Sequence, residues 1–89
     1  MNNDLVEIFV QPNCEACNRV VSLVISHPSS SSYDIHVIDR KRDPKLARSR
    51  GVVICPATFL NGQLAFLGEF DFSSLQALLA PKTAPQAIS

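Results

Sequence analysis

The sequence contains no tryptophan and carries no net charge, and its 89 residues include no long apolar run. Zero net charge argues against bulk attraction to nucleic acid or to an anionic membrane. The apolar runs are too short to cross a bilayer, and residues 1–4 lack the basic and apolar segments of a signal peptide. We therefore expect one small cytoplasmic domain, a monomer, that binds neither nucleic acid nor membrane.

Sequence motifs of several enzyme classes are also missing. There is no glycine-rich phosphate loop, no Ser, His and Asp in a triad order, and no interleaving of aromatic with basic residues. His27 and His36 stand in unrelated contexts, and we assign neither a catalytic role. Three cysteines remain. Because cytosolic structural disulfides are rare and an odd number cannot pair completely, these cysteines favour a redox or metal site.

The pattern of apolar residues predicts an α/β fold with the element order βαβαββα. The strands are expected at 5–10, 33–39, 57–60 and 63–67, and the helices at 14–26, from 44 to near 51, and from 72 to before 81. The first βαβ unit requires parallel strands joined by a right-handed crossover. Asn61-Gly62 predicts an antiparallel hairpin. The expected architecture is a mixed four-stranded sheet with three helices packed on its faces.

Helix boundaries are predicted from capping and breaking residues. Asn13, Asp43 and Asp71 are the expected N-caps, and Pro28 and Pro81 the stops. The last helix should bury one apolar stripe: Phe72, Leu75, Leu78 and Leu79. Three aromatic residues are expected in the core: Phe9, Phe59 and Phe66. The folded domain should span residues 1–80, followed by a flexible tail, 81–89.

The chemistry of this chain is expected at Cys14 and Cys17, where the first strand meets the first helix. The free N–H groups and the dipole of a helix N-terminus favour an anion. They therefore favour the thiolate, which is the nucleophilic form of cysteine. A cysteine one turn further along can attack the resulting mixed disulfide. We accordingly predict Cys14 as the nucleophile and Cys17 as the resolving thiol of a thiol–disulfide oxidoreductase.

Three segments of the chain resemble a known superfamily. Phe9 through Cys17 (FVQPNCEAC), Ile54 through Phe59 (ICPATF) and the Asn61-Gly62 turn look like a thioredoxin-fold protein of glutaredoxin size. The resemblance covers about residues 5–80 and implies a cis peptide bond before Pro56. It also implies that Cys55 and Pro56, together with Gln11 and Gly68, contact the substrate, whose extended chain would pair with the backbone of Cys55.

The resemblance implies as partners a protein disulfide and either a reductase or a low-molecular-weight thiol as reductant. Glutaredoxins hold glutathione with a segment that here reads Gly68-Glu69-Phe70-Asp71. A carboxylate at Glu69 would crowd and repel the anionic glutathione. We therefore expect this chain to bind glutathione weakly.

A second hypothesis for the cysteines is a metal-binding module without redox turnover. Cys55 lies beside Cys14 and Cys17 if the fold is as the resemblance implies. Three thiols so placed suit Zn²⁺, Cu⁺ or an iron–sulfur cluster, since thiolates prefer such ions. The alternative is that Cys55 is simply a small buried apolar residue, in which case the protein needs no cofactor.

The basic residues are unevenly distributed. Six of the eight fall between Arg40 and Arg50. They either form a solvated helix face with its flanking loop, or provide a docking patch for an acidic partner or a small anion.

Overall fold

The computed structural model describes residues 4–27 and 32–79, and within them the predicted element order is confirmed. The strands are β1 (Asp4–Val10), β2 (Tyr33–Asp39), β3 (Ala57–Leu60) and β4 (Gln63–Leu67), and the helices are α1 (Glu15–Ser26), α2 (Pro44–Ser49) and α3 (Phe72–Leu78). The predicted tail at 81–89 and the predicted stops Pro28 and Pro81 lie outside the described residues. No helix in the described ranges is long and apolar enough to cross a membrane.

The four strands form one mixed sheet in the order β2-β1-β3-β4. β1 runs parallel to β2, in register from Asp4 opposite Tyr33 to Val10 opposite Asp39. β3 is antiparallel to both β1 and β4. The β3–β4 turn is Asn61-Gly62, with φ values of 52° and 86°, as a two-residue hairpin turn with positive φ at both positions requires.

Side chains of β1 alternate between two cores, one on each face of the sheet. Val6 and Ile8 pack in a buried cluster with α1 and α3 residues such as Val20 and Leu75. Phe9 points to the other face, where it clusters with Ala47 of α2 and residues of the β3 region. Helices therefore cover both faces, as predicted, and β1 is buried between them.

The apolar stripe predicted for the last helix is only partly buried. Phe72 and Leu75 are buried and Leu79 packs against the first cluster, but Leu78 is 51% exposed. At about 100° per residue, Leu78 lies about 120° around the helix from Phe72, beyond the buried side. The core prediction holds for Phe9 and Phe59; Phe66, on edge strand β4, is half-buried and stacks on Phe70 with ring centroids 4.2 Å apart.

Candidate active site

Cys14 occupies the N-cap of α1, one residue later than the cap predicted at Asn13. Asn13 has φ 58°, in the left-handed region, and turns the chain between β1 and α1. Cys14 has the extended conformation of an N-cap, with φ −118° and ψ 102°, and its Sγ accepts a hydrogen bond from the Cys17 N–H at 3.1 Å. The sulfur thus takes the place of the side-chain oxygen that normally caps a helix.

The structure joins Cys14 and Cys17 by a disulfide, with their Cα atoms 5.2 Å apart. The two thiols differ in access, since Cys17 is 1% exposed whereas Cys14 is half-buried. Of these two cysteines, Cys14 is the one that a partner molecule can approach. The backbone N–H of Cys17, aimed at that sulfur, favours negative charge there, as does the helix N-terminus.

Glu15 directly follows Cys14, and Arg19, on the same helix, contacts both Glu15 and Glu69. Arg19 donates two hydrogen bonds of 2.9 Å to the carboxylate of Glu69 and lies 3.8 Å from that of Glu15. The hydrogen bonds from Arg19 hold the pKa of the Glu69 carboxyl below its usual value. The Glu15 side chain is 91% exposed. The charge of Glu69, predicted to repel glutathione, is therefore compensated by Arg19, and weak glutathione binding stays a prediction.

The segment before β3 contains two of the predicted substrate-binding residues. The Cys55–Pro56 peptide bond is cis, and Pro56 is fully buried. The Pro56 carbonyl accepts a 2.8 Å hydrogen bond from the N–H of Gly68, which brings a third predicted residue to this segment. Gly68 has φ 82°, a conformation that favours glycine. In the described residues, the backbone N–H and C=O of Cys55 bond to no other group.

In the disulfide-bonded form that the structure describes, Cys14, Cys17 and Cys55 do not form the metal site of the second hypothesis, which stays a hypothesis for the reduced protein. Cys14 and Cys17 are bonded to each other, and the half-buried side chain of Cys55 packs against the cluster around Phe9 and Phe59. Across residues 4–27 and 32–79, no three His, Cys, Asp or Glu side chains lie where they could hold a metal ion. The contacts of Cys55 are those of a small apolar residue.

A groove of about 300 Å³ is lined by Gln11, one of the predicted substrate-binding residues, and by Asn13, the residue directly before Cys14. The other lining residues are Pro12, Arg40 and Lys41. Arg40 is the first residue after β2, and Gln11 is the first residue after β1. The last residues of these two strands, Asp39 and Val10, are paired in the sheet. The sequence analysis did not place Arg40 beside Gln11. Parallel pairing of β1 and β2 does predict this position, because the carboxyl ends of parallel strands meet at one edge of the sheet.

Comparison with known proteins places the chain in a family. Residues 5–80 match the family model described as a thioredoxin domain. The chain therefore belongs to the thioredoxin domain family. No curated protein is significantly similar to it in sequence.

Solved structures with a similar fold include two thioredoxins. A mutant thioredoxin from Halobacterium salinarum NRC-1 superimposes with a TM-score of 0.75 at 22% identity, covering 88% of this chain and 73% of its own. The thioredoxin of Malassezia sympodialis superimposes with a TM-score of 0.68 at 21% identity, and the alignment covers 86% of this chain and 72% of that thioredoxin. A third similar chain comes from a structural study of the thiol resolving mechanism in yeast mitochondrial 1-Cys peroxiredoxin via glutathione/thioredoxin systems. It superimposes with a TM-score of 0.67 at 19% identity, and the alignment covers 86% of this chain and 77% of that chain. These likenesses establish the thioredoxin fold.

Proposed function

We propose that this protein is a thiol–disulfide oxidoreductase that reduces or exchanges disulfides in other proteins. The observation that carries the proposal is the unequal access of a bonded cysteine pair, with Cys14 open at a helix N-terminus and Cys17 buried one turn later. An accessible sulfur in a site that favours the anion is what thiol exchange requires of a nucleophile. A buried partner is protected from outside oxidants and reacts with the first sulfur.

The reaction starts from the reduced dithiol. The Cys14 thiolate attacks one sulfur of the substrate disulfide, the substrate S–S bond breaks, and the other substrate sulfur leaves as a thiolate. The Cys17 thiol loses its proton and attacks Cys14, which releases the second substrate thiolate and forms the Cys14–Cys17 disulfide. Two electrons have then passed to the substrate. The dithiol of a reductase, or two molecules of a low-molecular-weight thiol, returns the protein to the reduced form and is itself oxidised to a disulfide.

The segment around Pro56 provides the proposed substrate contacts. The N–H and C=O of Cys55, which have no partner within residues 4–27 and 32–79, can pair with an extended substrate chain, as an additional strand pairs with a sheet edge. The hydrogen bond between Gly68 and Pro56 holds the β4 end against this segment. Gln11 lines the groove together with Asn13, the residue before Cys14.

Turnover of a peptide disulfide with dithiothreitol tests the proposal. We expect Cys14→Ser to reduce the rate to that without protein. In a single turnover without dithiothreitol, which would cleave a mixed disulfide, we expect Cys17→Ser to accumulate one at Cys14 that mass spectrometry detects. Urea unfolding of the reduced proteins provides the control that both variants are folded. Full turnover by Cys14→Ser, or thiols in the wild type that are inert to both dithiol and disulfide buffers, would refute the proposal.

A further inference from the structure

Two cationic residues line the groove that begins at Asn13, and neither has a carboxylate partner in the part of the chain that the structure describes. We call this groove the basic groove and define it by its lining residues, Gln11, Pro12, Asn13, Arg40 and Lys41. The guanidinium of Arg40 donates to the carbonyl oxygen of Val53 at 3.0 Å, which leaves its charge uncompensated. In residues 4–27 and 32–79, no carboxylate lies within 4.0 Å of the side-chain nitrogens of Arg40 or Lys41.

The acidic residues nearest in sequence are held by backbone groups. A carboxylate oxygen of Asp39 accepts from the Lys41 N–H at 2.8 Å, and one of Asp43 accepts from the Leu46 N–H at 3.2 Å. Arg50, by contrast, is paired with Glu7. Two kinds of role are therefore found among the six basic residues between Arg40 and Arg50, which we call the basic segment. Arg50 is structural, whereas Arg40 and Lys41 line a concave surface, where positive charge attracts anions.

We propose that the basic groove binds an acidic side chain of the protein substrate, an aspartate or glutamate close in sequence to the cysteine that Cys14 attacks. This inference rests on the proposed function and names its substrate class, acidic protein disulfides. Asn13 both lines the groove and precedes Cys14. An extended chain advances about 3.3 Å per residue, and we therefore expect a carboxylate one or two residues from the attacked cysteine to reach a groove that begins at the residue before Cys14. The planar guanidinium of Arg40 suits a carboxylate.

Two peptides that differ at one position test the groove. Each has a cysteine linked by a disulfide to thionitrobenzoate, and a glutamate or a glutamine two residues from it. Reduced protein freed of reductant attacks the peptide sulfur, and the coloured aryl thiolate leaves. In a single turnover at low salt, we expect the glutamate peptide to react roughly two- to fivefold faster, the range for one exposed ion pair. The ratio should approach one as salt is raised.

Two lysine variants separate the groove from the general field of the basic segment. Lys41→Gln should remove most of the preference for the glutamate peptide. Lys45→Gln is the matched control, since Lys45 is exposed, carries the same charge and lies outside the groove. We expect Lys45→Gln to leave the ratio of the glutamate-peptide rate to the glutamine-peptide rate unchanged. The proposal would be overturned if the wild type reduced the two peptides at equal rates, or if Lys41→Gln and Lys45→Gln changed the preference equally. It would also be overturned if, with oxidised glutathione as a third substrate, Lys41→Gln slowed the reaction of glutathione alone.

A binding measurement makes the groove testable without redox turnover. The oxidised protein is titrated with the same peptides carrying S-methylcysteine, and the Lys41 backbone amide is followed by NMR. The glutamate peptide should shift this amide more than the glutamine peptide does. An equal response refutes the acidic subsite even if disulfide reduction stands. If neither thionitrobenzoate peptide reacts but the Lys41 amide shifts with the glutamate peptide and not with the glutamine peptide, the proposed function is refuted while the proposed anion site stands.

Discussion

Arg50, at the end of α2, donates two hydrogen bonds to the carboxylate of Glu7 in the middle of β1, at 2.8 and 3.0 Å. The Glu7 side chain is only 8% exposed and that of Arg50 26%. The guanidinium also lies over the rings of Phe59 and Phe9, 5.2 and 5.9 Å from their centroids. A charged residue can occupy the central strand because this contact satisfies both of its carboxylate oxygens.

Removing Arg50 should destabilise the protein strongly, because Glu7 would remain as a buried and unpaired carboxylate. We expect Arg50→Ala to lower the free energy of unfolding by about 3 kcal/mol, measured by urea denaturation of the reduced protein. Arg48→Ala, at an exposed arginine of the same helix, is the control and should change it by less than about 0.5 kcal/mol. Equal losses in the two variants would show that the buried ion pair is not what holds α2.

The same pair shows how far this fold could be predicted from the sequence. Local signals were sufficient for the Asn61-Gly62 hairpin and for Cys14 and Cys17 at the strand–helix junction, because both depend on neighbouring residues. The partner of Glu7 is 43 residues away and that of Arg19 is 50. No periodicity or propensity encodes such contacts, which arise only when the helices pack on the sheet. The cap at Cys14 was also missed, since sulfur is not among the usual capping atoms.

Gly68 should be replaceable only at the cost of backbone strain. A Cβ at this position would meet no atom within 4 Å, but φ is +82°. We therefore expect Gly68→Ala to lower the free energy of unfolding by about 1–2 kcal/mol, and Gly68→Asn to lower it by less, because asparagine tolerates the left-handed region. Chemical denaturation measures both. If the alanine variant is as stable as the wild type, the left-handed conformation of Gly68 is not required by the fold.

The hydrogen bonds from Arg19 to Glu69 predict a dependence of stability on pH. Folding lowers the pKa of the Glu69 carboxyl. The ion pair therefore stabilises the folded protein fully at pH values above the pKa that Glu69 has in the unfolded chain. This contribution is lost as the pH falls through the lower pKa that Glu69 has in the folded protein. We expect Arg19→Gln to return the Glu69 pKa, followed by NMR titration of the carboxyl carbon, towards its ordinary value. Arg48→Gln, which removes an exposed charge elsewhere, should leave it in place; an unchanged pKa in Arg19→Gln would contradict the assignment.

Thr58, in the middle of β3, has a hydroxyl whose removal should stabilise the protein. The residue is 0% exposed, and its Oγ1 has no hydrogen-bond partner among the described residues. An unpaired buried polar group costs about 1–3 kcal/mol, and valine has nearly the same shape with no polar atom. We expect Thr58→Val to raise the free energy of unfolding by about 1 kcal/mol, at the lower end of that cost. The control Thr58→Ser keeps the hydroxyl, loses the methyl group and should destabilise by about 1 kcal/mol. Denaturant unfolding measures both variants, and a less stable valine variant would mean that the hydroxyl is hydrogen-bonded in solution.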